Sequence, residues 1–198
     1  MSPLPLDVRP LAPQRLADFM AFFDGDAFVD NPRWQSCYCQ YLHVDHSAVN
    51  WAQRTLEQNR AAACGHIAAA RMQGFLAYRD GRVVGWCNAA PRTMLQALSD
   101  EPDVDDAHIG QIGCFVVAKA QRRTGVASAL LSAALAGFQA QGLRIAQGTP
   151  LRDAHSDAQQ HLGPMAMYLA AGFRVHRERN DGTIVVRREL NDAVHQGT

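Results

Sequence analysis

The sequence predicts an α+β fold, a central mixed and mostly antiparallel sheet flanked by helices. Three observations predict it. Gly74-Phe-Leu-Ala-Tyr, the turn Asp80-Gly81 and Arg82-Val-Val-Gly-Trp-Cys place two apolar strand segments either side of a turn dipeptide. Phe173 to Arg179 and Thr183 to Leu190 repeat the pattern across Asn180-Asp181-Gly182. Between these hairpins, the apolar strand Ile109 to Ala118 runs through a short basic turn into a helix from about Gly125 to Gln141. One strand–helix–strand unit therefore sits inside an otherwise antiparallel order.

Taken in order, Asp7-Val-Arg-Pro-Leu predicts a short first strand. Pro13 to Phe23 predicts a helix with Leu16, Phe19, Met20 and Phe23 on one side and Pro13 in its first turn. Asp24 to His46 reads as a loop rich in aromatics (Phe28, Trp34, Tyr38, Tyr41), a mixture that suits a pocket wall. Two helices are expected at Ser47 to Ala63 and His66 to Met72, separated by Gly65. After the first hairpin, Arg92 to Asp106 is acidic and irregular. The long helix carries Val126, Leu130, Leu131, Ala134, Leu135 and Phe138 on one stripe that packs on the sheet. Leu143 to Gly148 supplies the next strand, Pro164 starts a helix around Tyr168, and Gly172 caps it. Residues 1–190 read as one domain, with a variable region over about 1–73 and a tail at 191–198.

With 47% hydrophobic residues in 198, the chain can bury one good core. Nineteen basic and nineteen acidic side chains cancel, so no overall positive field draws nucleic acid or an anionic membrane. The N-terminus lacks a charged n-region with an apolar core, and no run approaches a membrane span. Five cysteines at irregular spacing suit free thiols in a reducing compartment, and a cytoplasmic location is expected.

The basic turn has the pattern Arg122-x-x-Gly125-x-Ala127. Small residues there let the backbone approach a ligand, and the first turn of the following helix points unpaired N–H groups at it, which makes a pyrophosphate cradle. Neither Gly-x-x-x-x-Gly-Lys-Ser/Thr nor a Gly-x-Gly-x-x-Gly after a strand is present, which removes kinase and dehydrogenase readings. The strand ending in Val117 with this turn and helix resembles the acyl-coenzyme A binding motif of the GNAT N-acetyltransferases. His161-Leu-Gly-Pro-Met-Ala-Met-Tyr168-Leu-Ala-Ala-Gly172-Phe173 is similar to that family's last helix, with a tyrosine four residues before Gly-Phe. Val84-Gly85-Trp86-Cys87 with Pro91-Arg92, and the Cys37-Tyr38-Cys39 element, resemble a bacterial subgroup. The two main motifs and the strand cover roughly residues 74 to 190.

The resemblance implies a GNAT-like fold and acetyl-CoA as co-substrate. It implies that the central strand splays from its neighbour, so that Phe115, Val116 and Val117 line the cofactor. Arg122, Arg123, Thr124, Gly125, Val126 and Ala127 would hold its phosphates, mostly through main-chain donors. Acyl transfer to an amine needs a polarised carbonyl, a deprotonated amine and a proton for the thiolate. Tyr168, protonated at neutral pH, is the candidate acid. The family often has asparagine where this chain has His161, which can still donate one hydrogen bond. Relatives place a glutamate base where this chain has Gln111. Asp103, Asp105, Asp106 and His108 lie just upstream as substitutes working through water, and a water chain alone would serve many amines.

Trp34, Tyr38, Trp86 and Arg92 are the expected acceptor pocket, three aromatic walls and a carboxylate-binding fork. Arg92 would favour an acidic acceptor, whereas Asp24, Asp26 and Asp30 would favour a polyamine or aminoglycoside. Cys37, Cys39, His43 and His46 supply zinc-type ligands, but Cys-x-Cys is tighter than structural zinc spacing, so no metal is expected. The expected activity is direct transfer of an acetyl group from acetyl-CoA to a primary amine of a small molecule or peptide. The alternative is a non-catalytic acyl-CoA binding or sensing module. Expected partners are the amine acceptor and, at most, a second copy in a homodimer.

Overall fold

The computed structural model describes residues 5–154, 156–157 and 159–190; the expected tail at 191–198 lies outside them. Seven strands form one sheet: β1 (Asp7–Pro10), β2 (Gly74–Arg79), β3 (Arg82–Pro91), β4 (Ile109–Val117), β5 (Ile145–Gly148), β6 (Arg174–Glu178) and β7 (Ile184–Glu189). Their order is β1-β2-β3-β4-β5-β7-β6. Only β4 and β5 run parallel, joined by the crossover helix α3 (Val126–Ala140); all other neighbours are antiparallel. The predicted mixed, mostly antiparallel sheet is therefore the observed one.

Alternation along the strands gives each face its own apolar layer. On one face Val84, Cys87, Ile112 and Phe115 meet the α3 stripe Val126, Leu130, Leu131, Ala134, Leu135 and Phe138. On the other, Leu76, Trp86 and Val116 meet Phe19, Phe22 and Phe23 of α1 (Leu16–Asp24), with Ala63 and Ile67 of α2 (Leu56–Ala68). The fourth helix, α4 (Met165–Ala170), adds Tyr168 to the first layer.

Two expected helices around Gly65 are one. Thr55 and Gln58 make a reciprocal capping box that starts α2, after the 3-10 turn Trp51–Gln53, and the helix runs through Gly65. A glycine inside a helix costs about 1 kcal/mol but does not break it. The helix stops at Ala68, where the chain turns left-handed at Ala70 (φ 53°). The expected first helix begins as a 3-10 turn at Pro13–Arg15, and β3 extends beyond Cys87 to Pro91. Among the described residues, no helix is long and apolar enough to cross a membrane.

Candidate active site

β4 pairs with β5 only from Ile109 to Gln111, although β4 continues to Val117. Beyond Gln111 the two parallel strands part, and the β5-facing edge of residues 112–117 opens into a cleft. Two cavities line that edge. The first, about 440 Å³, is walled by Phe115, Val116, Val117, Arg122, Arg123, Gly125, Val126, Ala127 and His161. The second, about 710 Å³, is walled by Gln111, Gly113, Cys114 and Val116 of β4 and by residues of the N-terminal third and the last hairpin. Both are bounded by Phe28, Trp34, Val116 and His161, so the cavities meet at the middle of β4.

The first cavity has the chemistry of a phosphate cradle. Gly125, at the N-cap of α3, has φ 86°, and an added Cβ there would meet no atom within 4 Å. Its left-handed conformation asks for glycine, and the space beside it is open to a ligand. The first N–H groups of α3 have no intrahelical acceptor and lie at the positive end of the helix dipole. The guanidinium of Arg122 is engaged by Asp30 through Nη1 at 2.6 Å and Nη2 at 2.9 Å, while its Nε donates to the Val117 carbonyl at 3.2 Å. A hydrogen bond from Arg122 holds the Asp30 carboxyl below its usual range. Asp157 stands beside both Arg122 and the exposed Arg123. Of the expected cradle residues, Thr124 alone is missing from the wall; its hydroxyl donates to the Gln121 carbonyl at 2.7 Å.

Of the four residues expected to form the acceptor pocket, three lie outside both cavity walls. Trp34 does line both cavities, its ring edge-on to His161 with centroids 4.4 Å apart. Tyr38 is instead buried, stacked near Phe23, with its hydroxyl on Asp24 at 2.5 Å. Burial foremost, with the Asp24 hydrogen bond, pushes its phenol up to about 12. Trp86 is fully buried against Phe19, its indole donating to the Cys39 sulfur. Arg92 is 3% exposed; its Nε donates to Asp106 and its Nη2 to the carbonyls of Leu98 and Glu101. The aspartates that favoured a polyamine also face elsewhere: Asp24 pairs with Arg60, Asp30 with Arg122, and Asp26 is not in the second cavity's wall.

Several wall residues carry no signal in sequence. Trp51 lies in a predicted helix, and Glu101, Arg179 and Asp181 come from an irregular segment and a hairpin turn. Glu101 and Arg179 form an ion pair. Phe28 and Tyr41, by contrast, belong to the aromatic loop read as a pocket wall.

The proton-transfer candidates separate by geometry. Tyr168 is fully buried; its hydroxyl donates to the Leu162 carbonyl at 2.8 Å, and its ring packs so close to Gly148 that a Cβ there would lie 2.5 Å from it. Burial raises its phenol well above the usual range, so it is protonated, but it lines neither cavity. Gln111 faces the second cavity with its amide held: Nε2 donates to the Ile112 carbonyl and Oε1 accepts from Gln147. Asp103 and Asp105 pair with Arg187, Asp106 pairs with Arg92, and His108 precedes β4 outside both walls. Three of the Cys-x-Cys-x3-His-x2-His ligand types have other partners: Cys39 contacts Cys114 and Trp86, His43 contacts Asn88, and His46 contacts the Tyr41 carbonyl. Among the described residues, no group of three His, Cys, Asp or Glu is arranged to hold a metal ion.

Comparison with known proteins agrees with this geometry. Residues 32–173 match the model of the "Acetyltransferase (GNAT) family". No curated protein matches the chain. Among solved structures, the GNAT domain of a Streptomyces lividans protein named PAT aligns with TM-score 0.58 at 17% identity, covering 92% of this chain and 89% of that one. A GNAT-family acetyltransferase from Streptococcus pneumoniae aligns with TM-score 0.52 at 20% identity, covering 94% and 100%. The Salmonella typhimurium protein yncA, described as a putative acetyltransferase with its cofactor acetyl-CoA, aligns with TM-score 0.54 at 13% identity, covering 98% of each. These likenesses show a shared fold. With the family match spanning the parted strands, the glycine-capped helix and the Tyr168 helix, the chain belongs to the acetyltransferase (GNAT) family and is an acetyl-CoA-dependent N-acetyltransferase.

Proposed function

We propose that the protein transfers an acetyl group directly from acetyl-CoA to a primary amine of a small molecule or peptide, both substrates being bound at once. One observation carries the reading: two cavities of about 440 and 710 Å³ meet at Val116, where β4 has left β5. The pyrophosphate lies on the first turn of α3, held mainly by main-chain N–H groups from Arg122 to Ala127, because the Arg122 side chain is paired with Asp30. The acyl arm follows Phe115, Val116 and Val117, whose freed edge supplies N–H donors to the thioester carbonyl. An amine in the second cavity then attacks that carbonyl, the C–S bond breaks, and the thiolate takes a proton.

The acceptor sits among Trp34, Tyr41 and Trp51, with Arg33, Glu101, Arg179 and Asp181 as the charged groups of the wall. Such a site fits an amine with an apolar or aromatic body and a polar end. His161, which lines both cavities at their junction, contacts the cofactor. The Cys-x-Cys and Gly-Trp-Cys elements mark the bacterial subgroup, residues 1–190 act as one domain, and the protein works in the cytoplasm. Release of free coenzyme A from acetyl-CoA across a panel of amino acids, aromatic amines, polyamines and peptides tests the reading. Acceptor-dependent release is expected. Tight acetyl-CoA binding with no release for any amine would replace the enzyme with a sensor.

A further inference from the structure

The sulfurs of Cys39 and Cys114 lie 2.6 Å apart, well inside ordinary non-bonded contact for two sulfurs. Cys39 belongs to the N-terminal loop and Cys114 to the centre of β4, and the two thiols line the same 710 Å³ cavity. Two further observations show that the contact is built. Tyr38 (φ 44°) and Cys39 (φ 57°) are consecutive non-glycine residues in the left-handed region, which side chains with a Cβ adopt only at a cost. That turn aims Cys39 at the strand, and the Tyr38 hydroxyl on Asp24 anchors it. On its other side, Cys39 accepts the Trp86 indole N–H at 3.1 Å. We propose that Cys39 and Cys114 are an oxidisable dithiol that closes into a reversible disulfide across the wall of the second cavity.

Cys39 is the attacking member. Burial works to raise its thiol, yet hydrogen bonds from Cys114, Trp86 and Asn88 bring it below the usual thiol range. The Cys114 thiol is pushed well up by its hydrogen bond to Cys39 and by burial. With hydrogen peroxide as oxidant, the Cys39 thiolate takes one oxygen as the O–O bond breaks, giving a sulfenic acid and hydroxide. The Cys114 sulfur then attacks the Cys39 sulfur, the S–S bond forms as the Cys39 S–O bond breaks, and that oxygen leaves as water after taking the Cys114 proton, while the earlier hydroxide takes the proton released by the Cys39 thiol. Two thiols are oxidised and one peroxide becomes two waters. The bond ties the loop to β4 beside Gly113 and Val116. Neither cysteine lines the first cavity, so the bond leaves cofactor binding untouched; on the acceptor side it locks the loop against β4, since the sulfurs are already too close for the bond to narrow the cavity much.

The test is stepwise peroxide oxidation of the full chain, with thiols counted after denaturation and disulfides mapped by mass spectrometry of non-reduced peptides. The thiol count should fall from five to three, with one Cys39–Cys114 peptide, and dithiothreitol should restore it. Cys114→Ser should abolish that peptide, and Cys64→Ser should leave it. Pairing of Cys37 with Cys39, over-oxidation of Cys39 beside a free Cys114, or five surviving thiols would each overturn the proposal; the unmodified chain gives these answers even where a variant does not fold. The effect on turnover rests on the acetyl-transfer reading. If acceptor binding needs the loop to move, oxidation should lower acceptor acetylation at least tenfold with acetyl-CoA binding unchanged, and full turnover in the mapped disulfide form would refute that effect of locking the loop. A chain that forms the bond yet acetylates no amine would sink the transfer reading and leave the dithiol standing.

Discussion

Tyr168 shows how a residue's identity and its surroundings can point to different roles. The spacing to Gly172-Phe173 marks it as the candidate acid, but its hydroxyl is given to the Leu162 carbonyl under the 3-10 turn Gln159–Leu162. Delivering that proton to a thiolate requires the turn to move when substrates bind. If Tyr168 is the acid, Tyr168→Phe should lower kcat by about 10²–10⁴-fold with acetyl-CoA affinity retained. A mere core role would instead leave kcat intact and cost roughly 1 kcal/mol of stability. Steady-state rates and calorimetric binding on one sample distinguish these outcomes. Gly125 carries a cleaner expectation, since it has φ 86° with open space beside it at the wall of the first cavity, where the phosphates are proposed to lie. Gly125→Val should raise the KM for acetyl-CoA at least tenfold while kcat at saturation changes little. Arg92 and Trp86 mark the limit of residue-level reading. Their chemistry suits a pocket, but burial and partnering depend on which segments fold over them.

At the scale of elements, turn chemistry was the most legible signal. Asp80-Gly81 and Asp181-Gly182 fall at the ends of their hairpins, and Gly125 opens α3. The α3 stripe read from sequence is the buried set observed. Gly65 misled, because a glycine whose Cβ position is empty weakens a helix without ending it. In the structure a capping box at Thr55 sets where α2 begins, eight residues after the expected start at Ser47. Thr55→Ala should cost about 1 kcal/mol in denaturant unfolding, with little effect on acetyl-CoA binding, since α2 lines neither cavity. The parting of β4 from β5 was implied by family resemblance alone. Nothing in the apolar run Ile109 to Val117 reports where pairing with a distant strand stops.

For the whole molecule, stability should depend on pH through His43. Burial foremost, and the nearby His66, push its imidazole down to about 4 from 6.5. The folded state therefore holds it neutral, beside Asn88, while the unfolded chain binds a proton below about 6.5. Stability from this group is complete above that pH and is lost as pH falls from 6.5 towards 4, by up to about 3 kcal/mol. Melting temperature measured across this window should drop, and His43→Gln should flatten that part of the curve. A profile unchanged by the substitution would assign the drop to other groups. The sequence by itself determined the sheet's strand segments, the crossover helix, the glycine turn that opens it and the family, because turns, apolar periodicity and glycine positions are local properties. Tertiary structure alone decided which residues wall the second cavity, the burial of Tyr38, Trp86 and Arg92 outside it, and the Cys39–Cys114 contact. Those features join residues far apart in the chain, and their burial and pairing exist only once both faces of the sheet are covered.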